Sequence, residues 1–376
     1  MPAYFTVYPL GNADTNLTRF ANNDLMVVDY ANRRDPNDRY DKRIDLAEAL
    51  KGELEDADRD SFRVAVFTHL DEDHVDGAGD FFWFEHTSAK QSSDRVKMDE
   101  LWVPAAALTE KKLQDDARSI WKEARYRLKN GEGIKVFSRP QALAGLLAEW
   151  GLTVEDREDC FVDAGQTVPG FDLDGGEQAE FFVHSPFAWR QDDGLVDRNQ
   201  NAIVMQMTLR DGGEDSHILL GADIEHETLS EIVRTSRKYG NSDRLEWDVL
   251  KLFHHCSYLA LSSEKGDDVT EPVEDVKWLF EELARQKEII ISPSWPIPAK
   301  GSAEDDDKQP PHRQAANYYK RIIKDSDGQF IVTMESPTTA KPKPTKLKVT
   351  STGVSVVLAG APTSSGAATS ESSRAG

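Results

Sequence analysis

The sequence RVAVFTHLDEDH, residues 63–74, is the stretch that decides the fold of this chain. Its first part, 63–67, is apolar after the arginine and rich in β-preferring side chains, so it predicts a buried strand. A polar, acidic segment follows at once, and the glycines of 77–79 then let the backbone turn closely. We therefore predict a strand that ends abruptly at a sheet edge, with ligand-type side chains directly beyond it.

Two imidazoles and two carboxylates lie within six residues of that strand end. They are His69, Asp71, Asp73 and His74. A mixed nitrogen and oxygen ligand set of this kind suits Zn²⁺ or Mn²⁺. The alternative is a solvated acidic loop that caps the next helix, which explains the acids but neither histidine. We expect all four residues to be metal ligands.

A second stretch, ILLGAD at 218–223, repeats the design of an apolar strand followed by a small residue and an acid. A carboxylate at a strand end can bridge two cations with one oxygen for each, and this is the role expected of Asp223. The residue could equally be only the N-cap of the helix that begins near Glu225. The sequence leaves both readings of Asp223 open.

A third stretch, VLKLFHHCS at 249–257, ends a buried strand in two adjacent histidines. Adjacent side chains of an extended segment face opposite ways, so only one should reach a metal. We assign His254 as the ligand and His255 as the catalytic partner, although the pattern itself does not choose between them. Cys256 is interpreted as a small buried residue.

Strands and helices alternate along the chain in two strand-rich halves, which predicts an α/β protein, a four-layer αββα sandwich. Helices are predicted over 110–129 and 274–286, and a closing strand over 347–358. Residues 1–358 form one predicted domain, with acidic surface insertions near 264–274 and 300–311. The tail, 359–376, is rich in Ser, Ala, Thr and Gly and is expected to be disordered.

The composition of the 376 residues limits the classes of function. A formal net charge of −22 argues against a protein that coats nucleic acid through its overall field, although a nuclease with a metal centre is compatible with it. Two distant cysteines make a disulfide framework improbable. No apolar run is long enough for a membrane span and no secretory signal is visible, so a cytoplasmic location without membrane partners is expected.

The three stretches together resemble the metallo-β-lactamase-fold superfamily. Residues 68–77 are similar to its H-x-D-x-D-H segment, 219–223 to its strand ending in G-D, and 250–257 to the L-K-x-x-H-H-G-S of the branch that contains the hydrolase domain of competence proteins, which process DNA during uptake. Weaker similarities are Val28-Asp29, Asn201 to Val204 and Pro311-His312. The superfamily's middle histidine has no clear match, and His184 is the best candidate.

The resemblance implies a metallo-β-lactamase-like fold that holds two divalent metal ions, Zn or Mn, and a hydrolytic water shared between them. The metal ligands it implies are His69, Asp71, Asp73, His74, Asp223, His254 and His184. The residues expected to act in catalysis are Asp73, Asp223 and His255. The implied substrate is a phosphodiester, in a nucleic acid or a nucleotide, and His312 is a possible proton donor if the fold brings it close.

Two other functions remain open. The same ligand set suits a hydrolase of esters, lactones or thioesters. A different class is a non-catalytic regulatory subunit in a multi-protein system, whose metal site is structural or lost. The sequence does not indicate protein partners. Two basic segments, 190–198 and 313–324, are candidates for contacts with nucleic acid, and both are also compatible with ordinary solvated surface.

Overall fold

The strand predicted from RVAVF lies in the interior of a large sheet. The computed structural model describes residues 1–192 and 197–357. Strand β4 (Ser61–Val66) pairs in parallel with β3 (Leu25–Val28) on one side and with β5 (Lys97–Pro104) on the other. The polar segment after β4 therefore leaves the sheet where the carboxyl ends of three adjacent strands meet.

The described strands form two sheets. The other strands of the first sheet are β1 (Tyr4–Val7), β2 (Asn16–Arg19), β6 (Ile134–Phe137), β7 (Phe161–Val162), β14 (Thr345–Thr350) and β15 (Gly353–Val356). The second sheet contains β8 (Ala179–Ser185), β9 (Val204–Asp211), β10 (Glu214–Leu220), β11 (Trp247–Lys251), β12 (Ala284–Ser292) and β13 (Gln329–Val332). Their orders are β15-β14-β1-β2-β3-β4-β5-β6-β7 and β13-β12-β11-β10-β9-β8. Strands β10 to β13 are parallel, so their carboxyl ends also share one edge.

Helices cover the outer faces of both sheets. They are α1 (Leu46–Ala57), α2 (Glu72–Val75), α3 (Ala78–Phe81), α4 (Ala105–Thr109), α5 (Asp115–Asn130), α6 (Gln141–Glu149), α7 (Ala188–Asp192), α8 (His226–Tyr239), α9 (Glu274–Glu281) and α10 (Arg313–Ile322). None of these helices of the described chain is both long and apolar enough to cross a membrane.

Three hydrophobic clusters separate the four layers. Side chains of both sheets, such as Val66 and Phe181, form the cluster between them. Leu50 of α1 belongs to the cluster outside the first sheet, and Ile232 of α8 and Tyr319 of α10 belong to the cluster outside the second. An apolar face on each side of each sheet is the arrangement that an αββα sandwich requires. The predicted fold class is confirmed.

Three predicted elements have wrong bounds. The helix predicted over 274–286 ends at Glu281, because the chain from Ala284 onward pairs in parallel with β11 as strand β12. The strand predicted over 347–358 is a hairpin of β14 and β15, in which Thr350 pairs with Gly353. The helix predicted over 110–129 begins only at Asp115, after the short helix α4. In each case the sequence indicated the right composition but not the point at which the chain turns.

The two acidic segments predicted as insertions contact each other. Lys300 Nζ lies 2.6 Å from Asp268 Oδ1, and Lys265 donates to the backbone oxygen of Asp305 at 2.5 Å. Arg313 Nε also donates to Asp305 Oδ1, at 2.9 Å. The single domain over residues 1–358 stays a prediction. Residue 358 and the tail, 359–376, lie outside the described residues.

Gly221 lies at the end of β10, where two backbone segments touch. A Cβ atom at this position would lie 2.5 Å from the carbonyl oxygen of Lys251 and 3.0 Å from the nitrogen of Phe253. Backbone atoms of a paired strand cannot move aside as a flexible side chain can. We expect Gly221→Ala to lower the free energy of unfolding by about 1–3 kcal/mol, the usual cost of overpacking, as measured by urea denaturation.

The matched control is Gly52→Ala, because Gly52 lies in α1 with open space around its missing Cβ. Alanine there should raise the free energy of unfolding by roughly 0.5–1 kcal/mol, since glycine is unfavourable inside a helix. Equal effects of the two substitutions would show that the close approach at Gly221 costs nothing.

Candidate metal centre

Four buried side chains converge where strands of the two sheets end. They are Asp14, His74, Asp223 and His255, and one ligand atom of each lies within 4.8 Å of all the others. His74 lies on α2 after β4, Asp223 follows β10, and His255 follows β11. Asp14 lies in the loop between β1 and β2. We call these residues the four-residue cluster.

A buried carboxylate behind His74 fixes the direction of its ring. Asp29 Oδ2 lies 2.8 Å from His74 Nδ1, and Asp29 also accepts hydrogen bonds from the nitrogen and the hydroxyl of Thr68, at 2.7 and 2.8 Å. His74 Nε2 consequently faces the cluster, 3.4 Å from Asp223 Oδ1. A carboxylate that holds one ring nitrogen while the other faces a cation is the usual support of a metal-bound histidine.

The loop after β11 turns His255 into the cluster. His254, His255 and Cys256 all have positive φ, at 46°, 51° and 67°, a run of left-handed conformations that non-glycine residues rarely adopt. Nδ1 of His255 lies 2.8 Å from the backbone oxygen of Pro293. Its Nε2 then lies 3.3 Å from Asp223 Oδ2 and 3.4 Å from Asp73 Oδ2. The structure thus places His255, and not the predicted His254, among the candidate ligands.

Asp14 is the member of the cluster that sequence reasoning missed. Asp14 lies outside the three stretches that the sequence analysis singled out, in the loop that precedes β2. Lys251, fully buried, donates to Asp14 Oδ2 and, at 2.6 Å, to the backbone oxygen of Gly221. The nitrogen of Asp14 donates to the oxygen of Asp73 at 3.0 Å, which ties this loop to the predicted ligand segment.

The carboxylates and imidazoles of the cluster shift one another's pKa values. Burial alone would lower the pKa of His74, but the Asp223 and Asp29 carboxylates raise it well above its usual value. At His255, burial also acts to lower the pKa, but the Asp223 and Asp73 carboxylates raise it to about 10. Burial would raise the pKa of Asp223, and the two imidazoles instead hold it well below its usual value. Because a cation must displace protons from His74 and His255, its affinity should increase with pH.

The cluster fits a divalent cation. Asp14 Oδ1, Asp223 Oδ1 and the Nε2 atoms of His74 and His255 are buried and have no hydrogen-bond partner within the described part of the chain. Leaving so many buried polar atoms unpaired is costly, and a shared cation would satisfy them together. Carboxylate oxygens with imidazole nitrogens are a ligand set for Zn²⁺ or Mn²⁺.

The other residues of the predicted ligand segment lie beside the cluster. Asp73 contacts His255, and its side chain is 28% exposed, so it borders the open side of the centre. Nε2 of His69 is buried without a partner in residues 1–192 and 197–357, and it lies 3.9 Å from Asp71 Oδ2. Asp71 Oδ1 accepts a hydrogen bond from Arg198 at 2.7 Å. We call His69 and Asp71 the second position.

Two predicted residues point elsewhere. His184 lies on the edge strand β8, and its Nε2 lies 2.9 Å from the backbone oxygen of Arg244, with burial lowering its pKa to about 4. His184 therefore lies outside the four-residue cluster, and its assignment as a ligand stays a prediction. His254 does not belong to the four-residue cluster, and its ring centroid lies 6.4 Å from that of His255.

His312 and Cys256 are joined by a backbone hydrogen bond at the left-handed turn of residues 254–256. His312 Nδ1 accepts a hydrogen bond from the nitrogen of Tyr258 at 3.3 Å, and the backbone nitrogen of His312 donates to Cys256 at 3.1 Å. Burial lowers the pKa of His312 to about 4. Cys256 is fully buried, as interpreted from the sequence, and burial raises its pKa to about 12. The proton-donor role of His312 stays a prediction.

Comparisons with known proteins add similarities in structure. No family model matches the chain, and no curated protein matches it. Among solved structures, it is similar to a new diphosphatase from the PhnP family (10% identity over 93% of this chain and 98% of that chain, TM-score 0.32) and to unliganded yeast PDE1 (11% identity, 88% and 98%, TM-score 0.41). It is also similar to BJP-1, a subclass B3 metallo-β-lactamase of Bradyrhizobium japonicum (13% identity, 64% and 74%, TM-score 0.28).

The similar structures thus include metallo-β-lactamases. The three sequence stretches resemble the superfamily of the same name. The finer resemblance to competence proteins stays a prediction. At these identities and TM-scores the similarities carry no conclusion about a reaction, so the chemistry of this chain has to be inferred from its own side chains.

Proposed function

We propose that this chain is a metal-dependent hydrolase that acts on phosphodiesters. The observation that carries the proposal is the four-residue cluster, whose buried carboxylate and imidazole atoms converge without partners in the described chain. Neither a helix cap nor a solvated acidic loop needs two buried imidazoles that face one point. Asp223 therefore has a more specific role than the N-cap that its sequence position also allowed.

A divalent cation in the cluster would supply Lewis-acid chemistry, which polarises a phosphoryl oxygen and acidifies water near neutral pH. Asp14, His74, Asp223 and His255 are the residues that would hold it. Asp29 would keep the His74 ring in the required orientation through Nδ1.

Asp73 is the acid best placed to move a proton in this proposal. Its carboxylate is partly exposed and lies 3.4 Å from His255 Nε2, so it borders both the centre and the solvent. It can accept a proton from the attacking water and pass one to the leaving oxygen of the substrate. The guanidinium of Arg198 at the rim favours an anionic phosphodiester over a neutral ester.

The experiment combines metal loading with a substrate panel. Protein stripped with a chelator is reloaded with Zn²⁺ or Mn²⁺ and tested on bis(p-nitrophenyl) phosphate, p-nitrophenyl acetate, a lactone and a thioester. We expect hydrolysis of the phosphodiester that depends on the metal and exceeds hydrolysis of the other compounds. Hydrolysis of only the acetate ester, the lactone or the thioester would support the alternative hydrolase, and bound metal without any hydrolysis would support the regulatory subunit.

Two histidine variants provide a matched pair for this experiment, because both residues are buried. His74→Asn should lose bound metal and activity, since His74 faces the cluster. His184→Asn should keep both, since its ring contacts the backbone of Arg244. Equal losses in the two variants would indicate a general effect on folding and not a metal site.

A further inference from the structure

Arg198 joins two carboxylates at the rim of the candidate metal centre. Its Nη1 donates to Asp71 Oδ1 at 2.7 Å, while Nε and Nη2 donate to Glu110 Oε1 at 2.7 and 2.5 Å. Glu110 follows α4 on the first sheet, whereas Arg198 precedes β9 of the second. The guanidinium thus bridges the two halves of the sandwich beside the ligand segment.

This contact occupies the acid of the second position. Asp71 Oδ2 lies 3.9 Å from His69 Nε2, so a cation between them would need both of these atoms and at least one further ligand. The oxygen on the other side of Asp71 is already bound to a cation, the guanidinium of Arg198. Arg198 therefore competes directly with a second metal ion for the charge of Asp71.

The second position also lacks the ligands that a closed site needs. Within residues 1–192 and 197–357, His69 and Asp71 belong to no group of three or more ligand side chains that converge within 4.8 Å. His184, which the sequence suggested as the missing histidine, instead contacts the backbone of Arg244. Metal sites in proteins usually have at least three protein ligands, which the four-residue cluster provides and the second position does not.

The guanidinium keeps donors for a further partner. A guanidinium carries five N–H groups in a planar fork, and the contacts with Asp71 and Glu110 use three of them. One N–H on each terminal nitrogen is left. The side chain of Arg198 is 38% exposed, so an anion in the open side of the centre can reach it. A planar pair of N–H groups matches the oxygens of a phosphate.

We propose that the centre binds a single divalent cation tightly, in the four-residue cluster, and that Arg198 replaces the second cation and binds the anionic group of the substrate. The part of this inference that concerns the substrate rests on the proposed function, whereas the number of metal ions does not. A count of one ion differs from the two ions that the sequence resemblance implies. The residues of the cluster fit a cation, and the residues of the second position do not.

The test counts metal ions without relying on activity. Metal-free protein is titrated with Mn²⁺, and binding is followed by calorimetry and by electron paramagnetic resonance. We expect one tightly bound ion per chain with the spectrum of an isolated Mn²⁺. Two ions of comparable affinity with a spin-coupled spectrum would overturn the inference.

Variants of Arg198 test its two roles. Arg198→Ala frees Asp71 but adds no third ligand, so a second Mn²⁺ should bind weakly at the second position, beside the one tight site, where the wild type binds none. The dissociation constant of the Mn²⁺-loaded protein for inorganic phosphate should rise about 10-fold, as expected for the loss of one charged hydrogen-bonded contact. Unchanged stoichiometry and unchanged phosphate affinity would overturn the assigned roles. Arg198→Lys, which keeps the charge but not the fork, should lie between wild type and Arg198→Ala.

Arg210→Ala is the matched control. Arg210 also joins two carboxylates, since its Nε donates to Asp215 at 2.6 Å and its Nη1 to Asp174 at 2.9 Å, but it lies on β9 away from the cluster. It should leave the metal count and the phosphate affinity unchanged. If wild-type protein binds one Mn²⁺ and hydrolyses no ester, the proposed function fails while the metal count still supports this inference. If it binds no Mn²⁺, both fail.

Discussion

Asp223→Ala is expected to remove the bound metal and to reduce hydrolysis by more than about 100-fold, which is the upper end of the loss caused by residues that only support metal ligands. Asp223 contacts both imidazoles of the cluster, with Oδ1 3.4 Å from His74 Nε2 and Oδ2 3.3 Å from His255 Nε2. Its removal leaves those rings without a common anion. Metal content is measured by elemental analysis after reloading, and activity with bis(p-nitrophenyl) phosphate.

The variant Asp29→Asn distinguishes a residue that binds the metal from one that only orients a metal-binding histidine. Asp29 contacts His74 and Thr68 but does not belong to the four-residue cluster. Asp29→Asn should therefore weaken metal binding by roughly 10- to 100-fold, so that excess metal restores activity. Excess metal should not restore Asp223→Ala. If Asp223→Ala keeps its metal and its activity, the assigned role of Asp223 is wrong.

Lys251→Met is expected to lower the free energy of unfolding of the metal-free protein by about 3–5 kcal/mol, the usual result of removing one partner of a buried ion pair. Lys251 and Asp14 are both fully buried, and the ammonium group donates to Asp14 and to the backbone oxygen of Gly221. Methionine keeps the volume of the side chain but removes the cation that contacts Asp14, so this buried carboxylate keeps only the imidazoles of the cluster as positive neighbours. Urea denaturation in the presence of a chelator measures the loss.

The double variant Lys251→Met/Asp14→Asn tests the cause of this loss. If the cost comes from the unpaired carboxylate, removing its charge should restore most of the stability. Saturating Mn²⁺ should also reduce the loss in the single variant, since a cation in the cluster would neutralise Asp14. Equal stability of the single and double variants would show that Lys251 contributes by packing and not by charge.

Much of the architecture could be predicted because it depends on local periodicity. The apolar run of β4, the strand ends near 218–223 and 249–257, and the alternation with helices all follow from residues close in sequence. They indicated both the αββα sandwich and the places where ligand-type residues leave the sheets. The hairpin of β14 and β15 and the early end of α9 were missed, because strand pairing with distant segments decides where those elements stop.

The composition of the centre depended on contacts that sequence separation hides. Asp14 and Lys251 are 237 residues apart, and no local pattern connects them. The choice of His255 over His254 follows from three left-handed residues, a backbone conformation that the letters HHC do not predict. Nε2 of His184 contacts a carbonyl group 60 residues further along the chain. Such choices are made by packing and hydrogen bonding between elements, after the strands have paired.

By itself, the sequence determined which residue types lie at the ends of the buried strands, because hydrophobic periodicity reports which segments must be inside. The family resemblance also implied that His69 to His74 and Asp223 belong to one metal site. Only the tertiary structure decided which atoms face one another there. It added Asp14 to His74, Asp223 and His255, and it paired Asp71 with Arg198, because a ligand set is defined by distances of a few ångströms between segments that the sequence keeps far apart.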